Sequence, residues 1–403
     1  MASSTHAPEP PKSPESRLAP TYRLTEDQLA LRDAVRVLAD DRIAPRAAEI
    51  DRTAEFPWDV KELLASHDIL SLPYPEAYGG LGGDLLTVCL AVEQISRVCA
   101  TSGLILAVHE LASLPLLLAG TEAQKQRWFP DLAAGRTLIA FALTEAEAGS
   151  DVASARTRAR REGDEWLIDG SKRFISQGSV ADLIAVFAVT AEDDATPRHE
   201  RLTCFIVEKD MPGFSVERVE HKMGIRGSPT AELGFRSVRV PDANRVGAVG
   251  EGFSIAMRTL DRSRPGIAAQ AVGIAQGALD VAAAYATERK QFGRPIAEFQ
   301  MIQAMLTDMD AQTEAARQLL YKAATEIEAG APDAARWSAM CKLVAGDTAM
   351  RVTTDAVQVL GGYGYIDEFP VERMMRDAKI TQLYEGTQQI QRLVIARALT
   401  ARR

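Results

Sequence analysis

The sequence predicts a mainly α protein with a central β domain, because the spacing of its apolar residues changes twice along the chain. Apolar residues recur at helical spacing through residues 21–137. Short runs rich in β-branched and aromatic residues, separated by Gly, Pro and Asp, fill residues 138–250. Long Ala-rich helical patterns return in residues 251–403 and are typical of an antiparallel bundle. We take these three ranges as the expected domains.

Composition and charge are those of an ordinary soluble protein. Of the 403 residues, 46% are hydrophobic and 25% are charged, so a large core is feasible. The formal net charge of -9 argues against nucleic acid or an anionic membrane as the main partner. The four cysteines are far apart and form no C-x-x-C pair, so we expect reduced thiols and a reducing compartment.

Residues 1–20 predict a disordered tail, since they are rich in Pro and Ser and nearly free of large apolar side chains. They lack the apolar core of a secretory signal, and Glu9 and Glu15 are atypical of a mitochondrial presequence. A cytoplasmic location is therefore expected. The most apolar stretch, Leu104–Ala119, is interrupted by a His, a Glu and a Pro, which predicts a buried helix and no membrane insertion.

The first region begins with a helix signal. Thr25–Gln28 matches a capping box and predicts a helix that continues to about Ala48. Further helical patterns follow up to Trp128. The glycine cluster in Tyr78–Gly83 lacks a preceding strand and the full G-x-G-x-x-G spacing, so we reject a dinucleotide-binding loop there.

The middle and last regions have clear element patterns. Two β-rich runs in Glu165–Ser176 meet at Asp169-Gly170, a pair typical of a two-residue turn, so a hairpin is predicted there. Further strands are predicted at 183–189, 202–207, 215–219 and 233–240. Long helices are predicted at 252–288, 296–328 and 333–360.

No familiar motif for metal binding or covalent catalysis occurs in the sequence. The five histidines are far apart and form no H-x-x-x-H pair, and there is neither a nucleophile elbow nor a phosphate-binding P-loop. We therefore expect no metal site. If the protein is an enzyme, an organic cofactor is expected to supply the difficult chemistry.

A carboxylate near the C-terminus is the leading candidate for catalysis. Glu385 lies between Tyr384 and Gly386, just before a helical run of apolar residues that can bury it. Burial raises the pKa of a Glu, which suits a base that works near neutral pH. On the residues alone, the more common case is a plain acidic residue at a helix N-terminus, with Thr387 as the N-cap.

Tyr384–Arg392 resembles the C-terminal signature of the acyl-CoA dehydrogenases, and the resemblance extends from about Leu24 to Leu399. These flavoenzymes desaturate acyl-CoA thioesters between Cα and Cβ. The resemblance implies an N-terminal helical domain, a β-barrel-like middle domain and a C-terminal four-helix bundle, with FAD as the cofactor. It also implies that Glu385 removes the α-proton, while its backbone N–H and a flavin ribityl hydroxyl bind the thioester oxygen.

The segment Phe141–Asp151 is similar to the family signature at the entry to the β domain. The similarity implies that five of its residues contact the cofactor: Phe141, Leu143, Thr144, Gly149 and Ser150. Ala146 stands in place of the usual Pro and Glu147 in place of a smaller residue. We expect these departures to alter the stiffness of the loop more than the activity.

Phe174-Ile-Ser176 matches a family segment that usually reads Trp-Ile-Thr. The match implies that Phe174, Ile175 and Ser176 contact the cofactor, with the Phe174 ring on the flavin and the Ser176 hydroxyl toward N5. The two replacements are expected to affect the flavin potential or the access of oxygen.

On the substrate side, the resemblance implies contacts from Ser150, Asp261, Arg264, Tyr384 and Gly386. Ser263 occupies the position at which isovaleryl- and long-chain-type relatives place their catalytic Glu. Glu385 is therefore expected to be the base without a second carboxylate. The acyl chain length stays open, with a weak preference for short-chain or broad-range members.

Two later motifs resemble segments that reach the adenosine diphosphate half of FAD in a neighbouring subunit. The residues expected there are Arg289, Phe292, Gln300, Gln358, Gly361 and Gly362. Thr387 and Gln389 are expected to bind FAD in the same chain as Glu385. Because cofactor binding is shared between chains in the family, the resemblance implies a homotetramer.

The resemblance implies oxidation of acyl-CoA to trans-2-enoyl-CoA, with electrons passing to an electron-transfer flavoprotein. Three alternatives remain open at this point. They are a same-fold oxidase or nitroalkane-type enzyme, the latter expected to carry Asp in place of Glu385; a flavin monooxygenase relative without a working base; and a non-catalytic or DNA-associated relative, which would need a basic face.

Overall fold

Helices form both ends of the chain and strands form its middle, as the changes of apolar spacing predict. The computed structural model describes residues 23–193 and 195–400, so the predicted tail lies outside the described residues. The order of helices, strands and helices confirms the predicted fold class. The domain boundaries themselves stay a prediction.

The described part of the N-terminal region, from residue 23 onward, contains six α-helices. The Thr25 hydroxyl and the Gln28 side chain form the predicted capping box. The first helix ends at Leu38 instead of continuing as α-helix to Ala48, because the chain widens into a π turn and then tightens into a 3-10 turn that contains Pro45. The helices are α1 (Glu26–Leu38), α2 (Ala47–Thr53), α3 (Trp58–Ser66), α4 (Leu85–Ser96), α5 (Ala100–Ala119) and α6 (Glu122–Ala133).

The middle region forms an eight-stranded sheet. Its strands are β1 (Ile139–Ala142), β2 (Arg158–Glu162), β3 (Glu165–Ser176), β4 (Leu183–Val189), β5 (Leu202–Glu208), β6 (Phe214–Val219), β7 (Thr230–Pro241) and β8 (Arg245–Val246). They lie in the order β6-β7-β3-β2-β4-β5-β8, with β1 paired in parallel to β4. Strand β4 is buried on both faces. Its Ile184 and Val186 belong to the main core, whereas Ala185 and Phe187 pack with residues of α5 and α6.

The hairpin predicted at Asp169-Gly170 is wrong, because β3 runs through both residues without a turn. The turn lies earlier, at Gly163-Asp164, where β2 pairs antiparallel with β3. At Asp169 the register between β3 and β7 shifts, and the Asp169 carboxylate accepts a hydrogen bond from Ser237 N at 2.7 Å. The Asp169-Gly170 pair therefore lies at a bulge-like irregularity inside the sheet.

The C-terminal region is a bundle built around three long helices. They are α7 (Gly252–Glu288), α8 (Gln300–Glu328) and α9 (Ala334–Leu360), followed by α10 (Val371–Ala378) and α11 (Gln388–Thr400). A short hairpin of β9 (Lys290–Gln291) and β10 (Arg294–Pro295) joins α7 to α8. A side chain at Gly277 would collide with the carbonyl of Arg97 just after α4, so the bundle packs closely on the N-terminal region.

Helices α5 and α7 are long and apolar enough to cross a membrane by length and composition alone. However, 83% of the apolar window of α5 and 72% of that of α7 are buried inside the protein. They form the core between the N-terminal region and the bundle. This agrees with the prediction of a buried helix at Leu104–Ala119.

Candidate active site

Glu385 lies on a sharp bend between a 3-10 turn that ends at Gln382 and the start of α11. Its φ is +52° and that of Gly386 is +93°, so two successive residues have left-handed backbone. For a residue with a side chain this conformation costs on the order of 1 kcal/mol or more and persists only where the surroundings impose it.

Side chains from three helices hold this bend. Arg264 Nε of α7 donates to the Glu385 carbonyl at 3.3 Å, and Gln391 Nε2 of α11 donates to the Glu385 and Gly386 carbonyls at 3.2 and 2.9 Å. Lys342 Nζ of α9 donates to the Gly386 carbonyl at 2.7 Å. The backbone of the bend is therefore tied to the bundle at several points.

The carboxylate of Glu385 has one direct hydrogen-bond donor among the described residues, the Ser263 hydroxyl, at 2.6 Å. Burial raises the pKa of Glu385 to about 7, although the Ser263 hydrogen bond and the charges of Arg264 and Lys342 act in the opposite direction. Such a group is available both charged and neutral near pH 7. That is the condition for efficient proton transfer at physiological pH.

Tyr384 and Arg264, two of the residues expected at the substrate, are also tied to neighbouring helices. The Tyr384 hydroxyl donates to Gln270 of α7, whose amide donates to the Ala100 carbonyl of α5 at 2.9 Å. Arg264 forms an ion pair with Asp261 at 2.6 Å. Burial raises the pKa of Asp261 despite this pair. Arg264 and Tyr384 thus lie beside Glu385, and Asp261 is connected to it through Arg264.

The end of β1 is fixed to β3, which brings two predicted cofactor segments together. Lys172 Nζ donates to the Leu143 carbonyl at 3.0 Å, and Arg173 N donates to the Thr144 carbonyl at 2.8 Å. Lys172 also forms a buried ion pair with Glu145 at 2.8 Å. The Phe174-Ile-Ser segment therefore begins beside Thr144.

Phe174 has an unusual backbone and an exposed ring. Its φ is +58°, and 58% of the residue is exposed, whereas Ile175 is buried and Ser176 is half-buried. Phe141 packs against Phe187 with ring centroids 5.1 Å apart. Gly149 and Ser150 are exposed in the following loop. The structure thus presents an aromatic surface beside the Thr144 backbone.

Four of the residues expected at a neighbouring chain's cofactor line one cavity of about 630 Å³: Arg289, Phe292, Gly361 and Gly362. The Arg289 guanidinium lies 5.4 Å from the ring centre of Tyr363. Gln300 and Gln358 are exposed on α8 and α9 and do not line this cavity. The predicted set is therefore brought together in part.

This cavity and Glu385 lie far apart along α7. Ser263 and Arg289 bound a helical span that is roughly 39 Å long at 1.5 Å per residue. Thr387, by contrast, lies beside Glu385, and its hydroxyl accepts a long hydrogen bond from Ile390 N at 3.4 Å, as an N-cap does. Gln389 is exposed at the start of α11.

Sequence reasoning missed Lys342 and Gln391. Lys342 is fully buried, and burial lowers its pKa to about 8 although the charge of Glu385 opposes that shift. A signal was present, because Lys342 lies on the buried face defined by Ala339, Ala345 and Ala349 at helical spacing. A lysine on such a face needs an internal acceptor.

Within the described ranges, no group of three or more His, Cys, Asp or Glu side chains is placed to hold a metal ion. All four cysteines are buried and free. Burial raises the pKa of the Cys204 thiol beyond its usual range, and that of Cys341 to about 12. Such thiols are poor nucleophiles.

Three family models match consecutive parts of the chain. The acyl-CoA dehydrogenase N-terminal domain matches residues 25–136, the middle domain 140–238 and the C-terminal domain 250–400. The probable acyl-CoA dehydrogenase FadE25 of Mycobacterium tuberculosis is 49% identical over 378 residues, which cover 94% of this chain and 96% of that protein.

Solved structures agree with these matches. Butyryl-CoA dehydrogenase from Megasphaera elsdenii is similar with a TM-score of 0.90 and 43% identity, over 94% of this chain and 99% of that one. A second solved structure comes from work on the electron transferring flavoprotein of Acidaminococcus fermentans and flavin-based electron bifurcation. It is similar with a TM-score of 0.92 and 44% identity, over 95% of this chain and 100% of that one.

The fold and the site define a flavin-dependent oxidoreductase that acts on acyl thioesters. The chain belongs to the acyl-CoA dehydrogenase family and is an FAD-dependent enzyme of that family.

The residues present are compatible with FAD. A flavin ring needs an apolar surface, which the exposed Phe174 side chain offers beside Thr144. A Cβ built at Gly149, Gly361 or Gly362 would meet no other atom within 4 Å, so open space faces these backbones. Glycines of this kind allow close approach of a dinucleotide backbone.

Proposed function

We propose that the protein oxidises short acyl-CoA thioesters to trans-2-enoyl-CoA, with Glu385 as the base that removes the α-proton. The single observation that carries this proposal is the placement of Glu385. It is held on a strained bend by three helices, and burial raises its pKa to about 7. The similarity to a butyryl-CoA dehydrogenase supports the choice of short acyl groups.

The first task of the site is to make the α-carbon acidic enough to lose a proton. Negative charge develops on the thioester oxygen in the transition state, and donors preorganised at that oxygen stabilise it. No described residue accepts a hydrogen bond from the backbone N–H of Glu385. This N–H is therefore a free donor next to the base, and it supports binding of the thioester oxygen there.

The second task is the proton transfer itself. The Ser263 hydroxyl bonds Oε2 of Glu385 at 2.6 Å and fixes the rotamer of the carboxylate, which leaves Oε1 for the α-proton. Lys342 and Gln391 hold the backbone of the bend and so keep the carboxylate in position. The chemistry that FAD supplies when bound is acceptance of the β-hydrogen as a hydride.

Partners and assembly follow from the same proposal. The cavity at Arg289 lies roughly 39 Å along α7 from Ser263, too far for one dinucleotide to reach both ends of the helix in one chain. A second chain would let each cavity serve a neighbour's cofactor, which supports a homo-oligomer. We propose that it is a homotetramer and that it works in the cytoplasm. The likeness to the Acidaminococcus structure supports an electron-transfer flavoprotein as the acceptor of the electrons.

The test is anaerobic reduction of the FAD-loaded protein by butyryl-, isobutyryl-, isovaleryl-, octanoyl- and palmitoyl-CoA, followed by flavin absorbance. We expect bleaching by a short acyl-CoA and a loss of at least about a hundredfold in its rate for Glu385→Gln. Glu192→Gln, at an exposed loop residue, is the matched control and should react at the wild-type rate. Bleaching at the wild-type rate in Glu385→Gln would contradict the assignment of Glu385 as the base.

A further inference from the structure

A second acidic side chain, Glu110, lies buried near the active site without a partner. It belongs to α5 and is only 4% exposed. None of the described residues forms a hydrogen bond or an ion pair with its carboxyl, and Arg262, a cation whose charge acts on it, is paired with Glu328 at 2.8 Å. A buried carboxyl without a partner is costly. The group is thus available to a bound molecule.

Glu110 borders a gap between α5 and α7. A Cβ built at Gly266 of α7 would meet only Ala107 Cβ and Glu110 Oε2, both at 4.0 Å. At Gly273, two turns further along α7, a Cβ would collide with the carbonyl of Glu93 in α4. The backbone of α7 is therefore tightly packed at Gly273, whereas at Gly266 it leaves room for a methyl-sized group beside Glu110.

This gap adjoins the proposed base. Gly266 lies one turn after Ser263, whose hydroxyl binds the Glu385 carboxylate. The gap therefore lies one helical turn from the residue that binds the proposed base. Burial raises the pKa of Glu110 to about 8, and the charge of Arg262 opposes this rise. The charge of Glu385 adds to the rise, so the two carboxyls interact electrostatically.

The surroundings of Glu110 combine apolar walls with a few polar groups. Glu110 also lines a small cavity with Leu85, Leu114, Phe129, Tyr74 and Ser113. The Tyr74 and Ser113 hydroxyls bond each other, and Ser113 donates to the His109 carbonyl at 2.7 Å, so both are already engaged. Arg262 also lines this cavity and is paired with Glu328. Of the carboxyl and hydroxyl groups that line it, the carboxyl of Glu110 is the one without a hydrogen bond to a described residue. At pH 7 it is mostly protonated and can both donate and accept.

We propose that Glu110 is a specificity-determining residue that selects short acyl groups with a hydroxyl at their distal end. The hydroxyl would bond the Glu110 carboxyl across the gap at Gly266, whereas an alkyl end would leave that carboxyl unpaired. Sites built to bond a substrate hydroxyl reject the analogue that lacks it. This inference rests on the proposed function, because it requires the acyl group beside Glu385.

The test compares matched acyl groups in anaerobic flavin reduction at limiting acyl-CoA. The pairs are 4-hydroxybutyryl- with pentanoyl-CoA and 5-hydroxypentanoyl- with hexanoyl-CoA. We expect the wild type to prefer the hydroxylated member of at least one pair by about tenfold or more. Glu110→Leu should abolish or reverse that preference, and Glu110→Gln, which still donates and accepts, should keep most of it.

Glu93→Gln is the matched control. Glu93 is equally buried on the adjacent helix α4 but is bonded by Arg317 and Tyr321, so its replacement should leave the substrate ratio unchanged. A wild type that prefers the alkyl member of both pairs overturns the proposal even if Glu110→Leu fails to fold. No bleaching by any acyl-CoA would instead contradict the proposed function.

Discussion

Glu145, which is buried, and Glu385, which is half-buried, each lie near a buried lysine, and the two regions use that lysine differently. At the β1–β3 junction, Lys172 bonds the Glu145 carboxylate directly, and the N–H groups of Arg156 and Thr157 donate to the same carboxylate. In the first half of α9, Lys342 bonds the backbone carbonyl of Gly386 and leaves the neighbouring Glu385 carboxylate to the Ser263 hydroxyl.

The pKa values of the two carboxylates shift in opposite directions. Burial alone would raise the pKa of Glu145, but the charge and hydrogen bond of Lys172, together with the backbone hydrogen bonds from Arg156 and Thr157, lower it below its ordinary value. Burial dominates at Glu385 and raises its pKa to about 7. Placing the lysine on the backbone thus fixes the position of a base without neutralising its basicity at physiological pH.

The largest expected effect is a loss of stability when the ion pair between Lys172 and Glu145 is broken. Lys172→Met leaves Glu145 buried without its cation and should destabilise the fold by about 3–5 kcal/mol. Urea unfolding measures this, and Lys172→Met with Glu145→Gln should recover part of the loss, since no uncompensated charge remains. Unchanged stability in the single variant would mean that the pair is not structural.

Removing the other lysine should affect catalysis more than stability. Lys342→Met deprives the Gly386 carbonyl of its 2.7 Å donor and loosens the bend that carries Glu385. We expect the rate of flavin reduction at pH 7 to fall by about tenfold or more, because small misplacement of a catalytic group is costly. Lys379→Met, at an exposed lysine bonded to Gln382, serves as the control and should retain the wild-type rate.

The smallest expected effect comes from removing the Ser263 hydroxyl, which donates a hydrogen bond to the proposed base Glu385. The Ser263 hydrogen bond stabilises the charged form of Glu385, so Ser263→Ala should raise the apparent pKa of the reaction and reduce the rate most at low pH. The pH profile of flavin reduction measures this shift. A shift in the opposite direction would show that Ser263 favours the neutral acid.

Much of the scaffold is local in the sequence and could be predicted. The spacing of apolar residues gives α7 its observed ends at Gly252 and Glu288, and the motif around Glu385 points to the base. The hairpin prediction at Asp169-Gly170 is wrong for a physical reason, since β-bulges and tight hairpin turns favour the same residue types. Only the pairing partner across the sheet distinguishes them.

What could not be predicted depends on contacts between distant segments. Lys342 is separated from Gly386 by the rest of α9 and by α10, and Glu110 meets α7 only because Ala107 and Gly266 leave a gap. Neither residue belongs to a motif. The pKa of Glu385 likewise depends on its burial and on groups from two separate helices, α7 and α9.

The most direct test of the account is the pH dependence of anaerobic flavin reduction at limiting butyryl-CoA, which reports the ionisation of the free enzyme. Protonated Glu385 cannot act as a base, so the rate should rise with pH through about 7 and then level off. Glu145→Gln, at the contrasting carboxylate, should not move this inflection. An inflection near the ordinary glutamate range, or a rate without pH dependence, would contradict the claim that burial tunes Glu385 for proton abstraction.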